Sequence, residues 1–145
     1  MSEPDMKLAM IVSKELLLSE WLQKVERSVS GAIVTFSGVV RPLEDGKDLL
    51  ALYYEAYESM ALGKMDEILA ESIEKYNLND AIAIHRTGRV EAGKVSVIVI
   101  ASSEHRSEAF EGCRAIIDRI KSEVPIWKKD IFRNSEHWRS ERIEG

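Results

Sequence analysis

Apolar and polar positions alternate along this chain with two periods. Stretches of period two or of continuous β-branched residues predict strands, and recurrences at three and four residues predict helices. Lys7 to Val12 is a short apolar strand candidate. Ser13 can then cap a helix over about 14–28, with Leu17, Leu18, Trp21, Leu22 and Val25 at helical spacing. The run Gly31 to Arg41 is rich in β-branched residues and reads as a strand. The turn-rich Pro42–Asp48 follows, and Leu49 to Ala56 reads as its returning partner, a β-hairpin with a loose tip. From Glu58 to Tyr76 an apolar stripe of Met60, Ala61, Met65, Ile68, Leu69, Ser72 and Ile73 predicts a helix. Two further strands, Ala81–Thr87 and Lys94–Ala101, are joined through Gly88–Gly93. A long helix follows over about 104–123, its apolar face made of Ala109, Phe110, Cys113, Ile116, Ile117 and Ile120, and Pro125 stops it. Ile126 to Phe132 reads as a last strand. Frequent hairpin-like neighbours favour an α+β fold with a mixed, largely antiparallel sheet over a doubly wound parallel one.

At 145 residues the chain is one domain's worth, and the absence of repeats or linkers makes residues 1–145 one continuous unit. The longest strongly apolar run, Val95 to Ala101, is far too short for a bilayer, which needs about 20 residues. The start, MSEPDMK, is acidic where a signal peptide is basic, so a cytoplasmic location and no membrane partner are expected. Cys113, the single cysteine, allows no intrachain disulfide and reads as a buried helical thiol. The net charge of −5 is unevenly spread: residues 42–80 carry three basic and ten acidic side chains, residues 81–145 twelve and ten. That balance argues against a nucleic-acid binder and allows a local anion site on an acidic body.

Three places hold candidate chemistry. Ser102-Ser103-Glu104-His105-Arg106 joins a strong strand to the long helix, with Ser103 as the expected N-cap. Where a capping box would place Glu, Arg106 stands instead, and a cation there opposes the helix dipole unless an anion sits beside it. A phosphate or carboxylate pocket resolves that conflict, although His105 and Arg106 could equally pair with nearby acids. Lys121 lies at the edge of the helix's apolar stripe, and Lys128 lies in a strand; a partly desolvated lysine beside other cations can transfer protons near neutral pH. Arg41 ends the Gly31–Arg41 strand, well placed to clamp an oxyanion. His85, His105 and His137 are scattered, so no metal site is expected.

The local sequence goes further. Gly31–Arg41, Leu52–Tyr57 with Met60-Ala61, His85-Arg86-Thr87-Gly88, Ala101–Arg106, Ala109-Phe110, Cys113-Arg114, Val124–Asp130 and Trp138 occur in unbroken order over about residues 30–142. This series closely resembles the large, catalytic subunits of molybdopterin synthase. Gly112, where an alanine is common, and Asp130, where Glu is usual, are mild departures. The resemblance implies an α/β hammerhead-type fold. It implies sulfur transfer from the C-terminal thiocarboxylate of a small ubiquitin-like subunit, bearing a Gly-Gly tail, to cyclic pyranopterin monophosphate. The product is the dithiolene of molybdopterin, and no metal or cofactor is needed. A homodimer at the core of a heterotetramer is implied as well.

Carried onto this sequence, Lys121 and Lys128 match catalytic lysines. His105 and Arg106 match a substrate-pocket pair, Val39, Val40 and Arg41 the strand end lining it, and Lys129 and Asp130 the last binding segment. Arg142 matches an arginine contributed across the dimer, with Trp138 as its expected apolar anchor. The competing expectation is a non-catalytic α+β module that binds a ubiquitin-like protein or an anionic metabolite without turnover.

Overall fold

The computed structural model describes residues 6–25, 30–44, 46–133 and the strand 136–138. Its elements run β1 (Met6–Val12), α1 (Leu18–Leu22), β2 (Ala32–Val39), β3 (Leu43–Glu44), β4 (Lys47–Ala56), α2 (Glu58–Tyr76), β5 (Leu78–Arg86), β6 (Gly88–Glu91), β7 (Val95–Ser103), α3 (Arg106–Glu123), β8 (Ile126–Phe132) and β9 (Glu136–Trp138). One sheet has the order β1-β5-β7-β2, with β1 parallel to β5 and the other pairs antiparallel. A second, antiparallel sheet has the order β3-β4-β8-β9, with β6 also pairing β4. The expected α+β class with a mixed, largely antiparallel sheet is what the chain adopts.

The central strands β5 and β7 are buried on both faces, and the two faces are built differently. Ala81, Ala83, Val97, Val99 and Ala101 face the cluster that holds Met65, Ile68 and Leu69 of α2 and Ile116, Ile117 and Ile120 of α3. Small residues there let two long helices approach the sheet closely. On the opposite face Ile82, Ile84, Ile98 and Ile100 pack against Leu16, Trp21 and Val25. The bulkier isoleucines fill the space beneath the short α1.

Four expectations need correction. The strands β2 and β4 do not form a hairpin; β2 pairs β7 and β4 pairs β8, while Leu43 and Glu44 of β3 pair Asp48 and Lys47 at the start of β4. Partner choice follows the edge of β7 that β5 leaves open, not chain proximity. The first helix spans only Leu18–Leu22, and Leu17, not Ser13, occupies its N-cap without a side-chain bond. Leu16, rather than Leu17, is the buried position there, because the segment enters the sheet face in extended form. Gly88–Glu91 is a strand, its residues opposite Ala51–Tyr54. Met60 and Phe110, expected on apolar stripes, are 65% and 61% exposed; Phe110 lies roughly 20° beyond Ile117 around α3, past the edge of the buried arc. Among the described residues, no helix is long and apolar enough to cross a membrane.

Candidate active site

The end of α3 is built to deliver a lysine. Ile116, Ile117 and Ile120 are buried, and Lys121, one position further round, leaves the core half-buried with its Nζ 5.7 Å from the Phe36 ring centre. The Val124 N–H bonds Ile120 O at 3.2 Å, and Pro125 ends the helix, sending the chain straight into β8. Within that strand Lys128 faces inward: only 8% of it is exposed.

Opposite the lysines, β2 ends at a bulge. Gly38 pairs Val97 and Val39 pairs Val95, so Ser96 is the extra residue of β7. The Val40 N–H bonds Lys94 O at 2.9 Å, and the Gly93 N–H bonds Val40 O at 2.7 Å. Gly93 has φ +88°, which other residues rarely adopt. These bonds pin the strand end that carries Arg41 to the β6–β7 turn.

A single pocket gathers these parts: the exposed Val39 and Arg41 at its mouth, Lys121 and Lys128 on one wall, and the buried Val40, Tyr54, His85 and Ser96 on its inner side. The imidazole of His85 is fully buried, and its Nδ1 lies 2.8 Å from Arg86 O. The Nδ1–H therefore donates to that carbonyl and Nε2 carries the lone pair. Burial pushes the His85 pKa down to about 4, so this histidine is neutral at working pH and too weak a base to abstract protons there. The Tyr54 ring meets it edge to face with centroids 5.0 Å apart. Burial holds the Tyr54 phenol above its usual pKa, opposed by a hydrogen bond with Ser96 and assisted by the charge of Asp130. The phenol is protonated at neutral pH.

The sequence-derived residues divide into groups. Five of them line the pocket: Val39, Val40, Arg41, Lys121 and Lys128. Lys129 alternates to the other face of β8, its Nζ 5.6 Å from the Tyr53 ring. Asp130 is buried on the Lys128 side of the strand but does not line the pocket. His105, not Ser103, is the N-cap of α3, with no side-chain cap bond, because Ser103 is still in β7 and its hydroxyl donates to Asn77 O at 2.9 Å. His105 and Arg106 are exposed. Fifteen residues of helix separate Arg106 from Lys121, about 22 Å at 1.5 Å per residue. One chain does not bring the two ends together. Arg142 lies outside the described residues, and Trp138 is described only as a backbone partner of Lys129.

Tyr54, His85 and Ser96 escaped the reading of the sequence as site residues. Tyr54 and His85 belong to segments that carried the family resemblance, so a signal existed. Ser96 carried none, since its place in the pocket comes from a register shift.

The enclosed volume is ≈ 70 Å³, room for a few waters. A fused-ring pterin would have to sit across the mouth, where Val39 is half exposed and Arg41 is exposed.

Comparison with known proteins gives the family of the chain. Residues 11–123 match the family model described as MoaE protein. The chain is 48% identical over 124 residues to the molybdopterin synthase catalytic subunit of Thermoplasma volcanium, covering 86% of this chain and 90% of that one. It is 42% identical over 123 residues to that of Bacillus subtilis, covering 85% and 78%. The crystal structure of molybdopterin synthase from Staphylococcus aureus superposes with a TM-score of 0.84 at 33% identity, covering 90% of this chain and 95% of that one. The match takes in β2, the α2 core and the whole of α3 with Lys121, and the chain belongs to the MoaE family of molybdopterin synthase catalytic subunits.

Proposed function

We propose that this chain transfers sulfur from the C-terminal thiocarboxylate of a small ubiquitin-like subunit to cyclic pyranopterin monophosphate, making the dithiolene of molybdopterin. The observation that carries this reading is the convergence of Lys121, Lys128 and Arg41 on one pocket from three separate elements. Sulfur attack on the pterin side chain forms a C–S bond, builds negative charge and expels oxygen; water then cleaves the acyl–sulfur bond and frees the small subunit as its carboxylate. Lys121, half-buried at the helix end, is suited to protonate the expelled oxygen. Lys128, deeper in the wall, is suited to hold the thiocarboxylate and neutralise developing charge. Arg41 at the mouth can take the cyclic phosphate bidentately.

In this reading the site is completed by a second copy. Arg106 and Phe110 are four residues apart and so share one face of α3. Phe110 is a large apolar side chain left exposed on the same face as the cationic Arg106, the composition of a docking anchor. A second copy placing this face at the pocket mouth would add His105 and Arg106 to the phosphate end, and Arg142 would enter by the same route. Lys129 and Asp130 would then act by bracing β8 and the tail of the small subunit. The assembly is a homodimer flanked by two small subunits, in the cytoplasm.

The test supplies thiocarboxylated small subunit and cyclic pyranopterin monophosphate and measures dithiolene product. Unmodified protein makes product, and Lys121→Ala loses about 10²–10⁴-fold in rate, the range for a positioned proton donor, while still folding and binding the small subunit. Near-normal turnover in that variant removes Lys121 from the mechanism; binding without product in the unmodified protein favours the non-catalytic module.

A further inference from the structure

The inner side of the pocket joins the two sheets through a single side chain. Tyr54 belongs to β4 of the second sheet, yet its ring contacts His85 of β5 and its hydroxyl bonds Ser96 of β7, both in the first. Ser96 Oγ also donates to Gly38 O at 3.4 Å. Ser96 therefore stands between the Tyr54 hydroxyl and the Gly38 carbonyl. Gly38 immediately precedes the Val39–Arg41 strand end, and a Cβ there would stand 2.6 Å from Val97 Cγ1. The anchor point therefore cannot drift without repacking β7.

Lys128 lies across the strand from Tyr54: in the β4–β8 ladder the two are directly opposite, so their side chains leave the same face with Cβ atoms about 5 Å apart. Both are buried, at 4% and 8% exposure. A lysine stem has four rotatable bonds, and its ammonium finds a fixed position only when the stem is packed. The flat face needed for that packing is supplied across the strand by Tyr54, whose own rotation is blocked by His85 and Ser96.

We infer that Tyr54, its hydroxyl anchored by Ser96 and its ring by His85, is a positioning residue that fixes the Lys128 side chain in the pocket. This ties Lys128, through packing on Tyr54, and the Arg41 strand end, through Ser96 and Gly38, to neighbouring parts of one pocket wall. The inference rests on the proposed sulfur transfer for its catalytic consequence, and on packing alone for its structural one.

Tyr54→Phe deletes one oxygen and keeps the ring against His85, which isolates the hydroxyl. In turnover with thiocarboxylated small subunit and cyclic pterin phosphate, kcat falls about tenfold while KM for the pterin stays within about twofold. Ser96→Ala reproduces the loss, and the double variant loses no more than either single one, because both break the same hydrogen bond. A purely structural role would lower the thermal midpoint and leave kcat alone. An unchanged kcat, or losses that multiply in the double variant, overturns the inference. A second readout does not depend on turnover. Reductive ¹³C-methylation gives lysines resolvable NMR resonances, with Lys128 assigned through Lys128→Arg. Tyr54→Phe shifts the Lys128 resonance and leaves that of surface Lys64 in place; an unmoved Lys128 resonance overturns the inference in active and inactive protein alike. A shift in a protein that turns over no pterin upholds the positioning of Lys128 and removes the proposed reaction instead.

Discussion

The two ends of α3 carry similar residue types in opposite surroundings. At its C-terminal end Lys121 meets a pocket already assembled by five strands: Lys128 is buried, the strand end before Arg41 is pinned by two backbone bonds, and a neutral histidine and a protonated tyrosine close the inner side. At its N-terminal end His105 and Arg106 stand exposed beside an exposed Phe110, with no side-chain cap. One end is finished within a single chain and the other is a set of functional groups without a wall. The contrast teaches that the unit of function in this reading is larger than the unit of folding.

Disturbing the unfinished end should act on assembly and not on folding. Phe110→Asp places a charge where a second copy would bury an aromatic ring. The expected outcome is a dimer weakened by at least about 2 kcal/mol, roughly thirtyfold in dissociation constant, with the thermal midpoint of the monomer retained. Sedimentation equilibrium across a concentration series measures it, and an unchanged dimer would move the interface elsewhere.

The finished end should show its dryness in the pH dependence of stability. The His85 pKa is about 4 in the folded chain and about 6.5 when unfolded. As pH falls below about 6.5 the unfolded state takes up this proton first, so stability declines from pH 7 towards pH 4. Between pH 7 and pH 5 the loss from this group is about 2 kcal/mol. Urea unfolding of the unmodified protein and of His85→Gln at both pH values isolates it, since the variant should lack that part of the decline.

The smallest effect concerns Gly112, on the buried face of α3. A Cβ there would lie 2.8 Å and 2.9 Å from the Leu78 methyls. The clash is with the far end of a rotatable side chain, and helix propensity favours alanine by about 1 kcal/mol. Gly112→Ala should therefore change stability by less than about 1 kcal/mol, and turnover not at all, because Gly112 lies on the core side, away from both ends. A large loss in chemical denaturation would mean that Leu78 has nowhere to go.

Much of this was legible in the sequence. The long helices, the strand before Arg41 and the Pro125 stop between Lys121 and Lys128 all follow from local chemistry, and the lysine pair is only seven residues apart. Partner choice among strands was not legible. β2 pairs a strand some 60 residues later, because β5 takes one edge of β7 and the N–H and C=O groups of its other edge need a partner. The pocket's inner side was hidden for a related reason: Ser96 enters it through a one-residue register slip that no periodicity records. The split of His105 and Arg106 from the lysines was hidden because the resemblance marks only Arg142 as coming from across the dimer.

The central claim, a site shared between two copies, is tested most directly by mixing two inactive variants, Lys121→Ala and Arg106→Ala, under conditions that exchange subunits. A heterodimer then contains one site with both residues intact. An equal mixture forms heterodimers as half of its population, so dithiolene production should return to about a quarter of the unmodified rate. No recovery despite exchange confirmed by mass spectrometry would contradict the shared site and require Arg106 to act, if at all, away from Lys121.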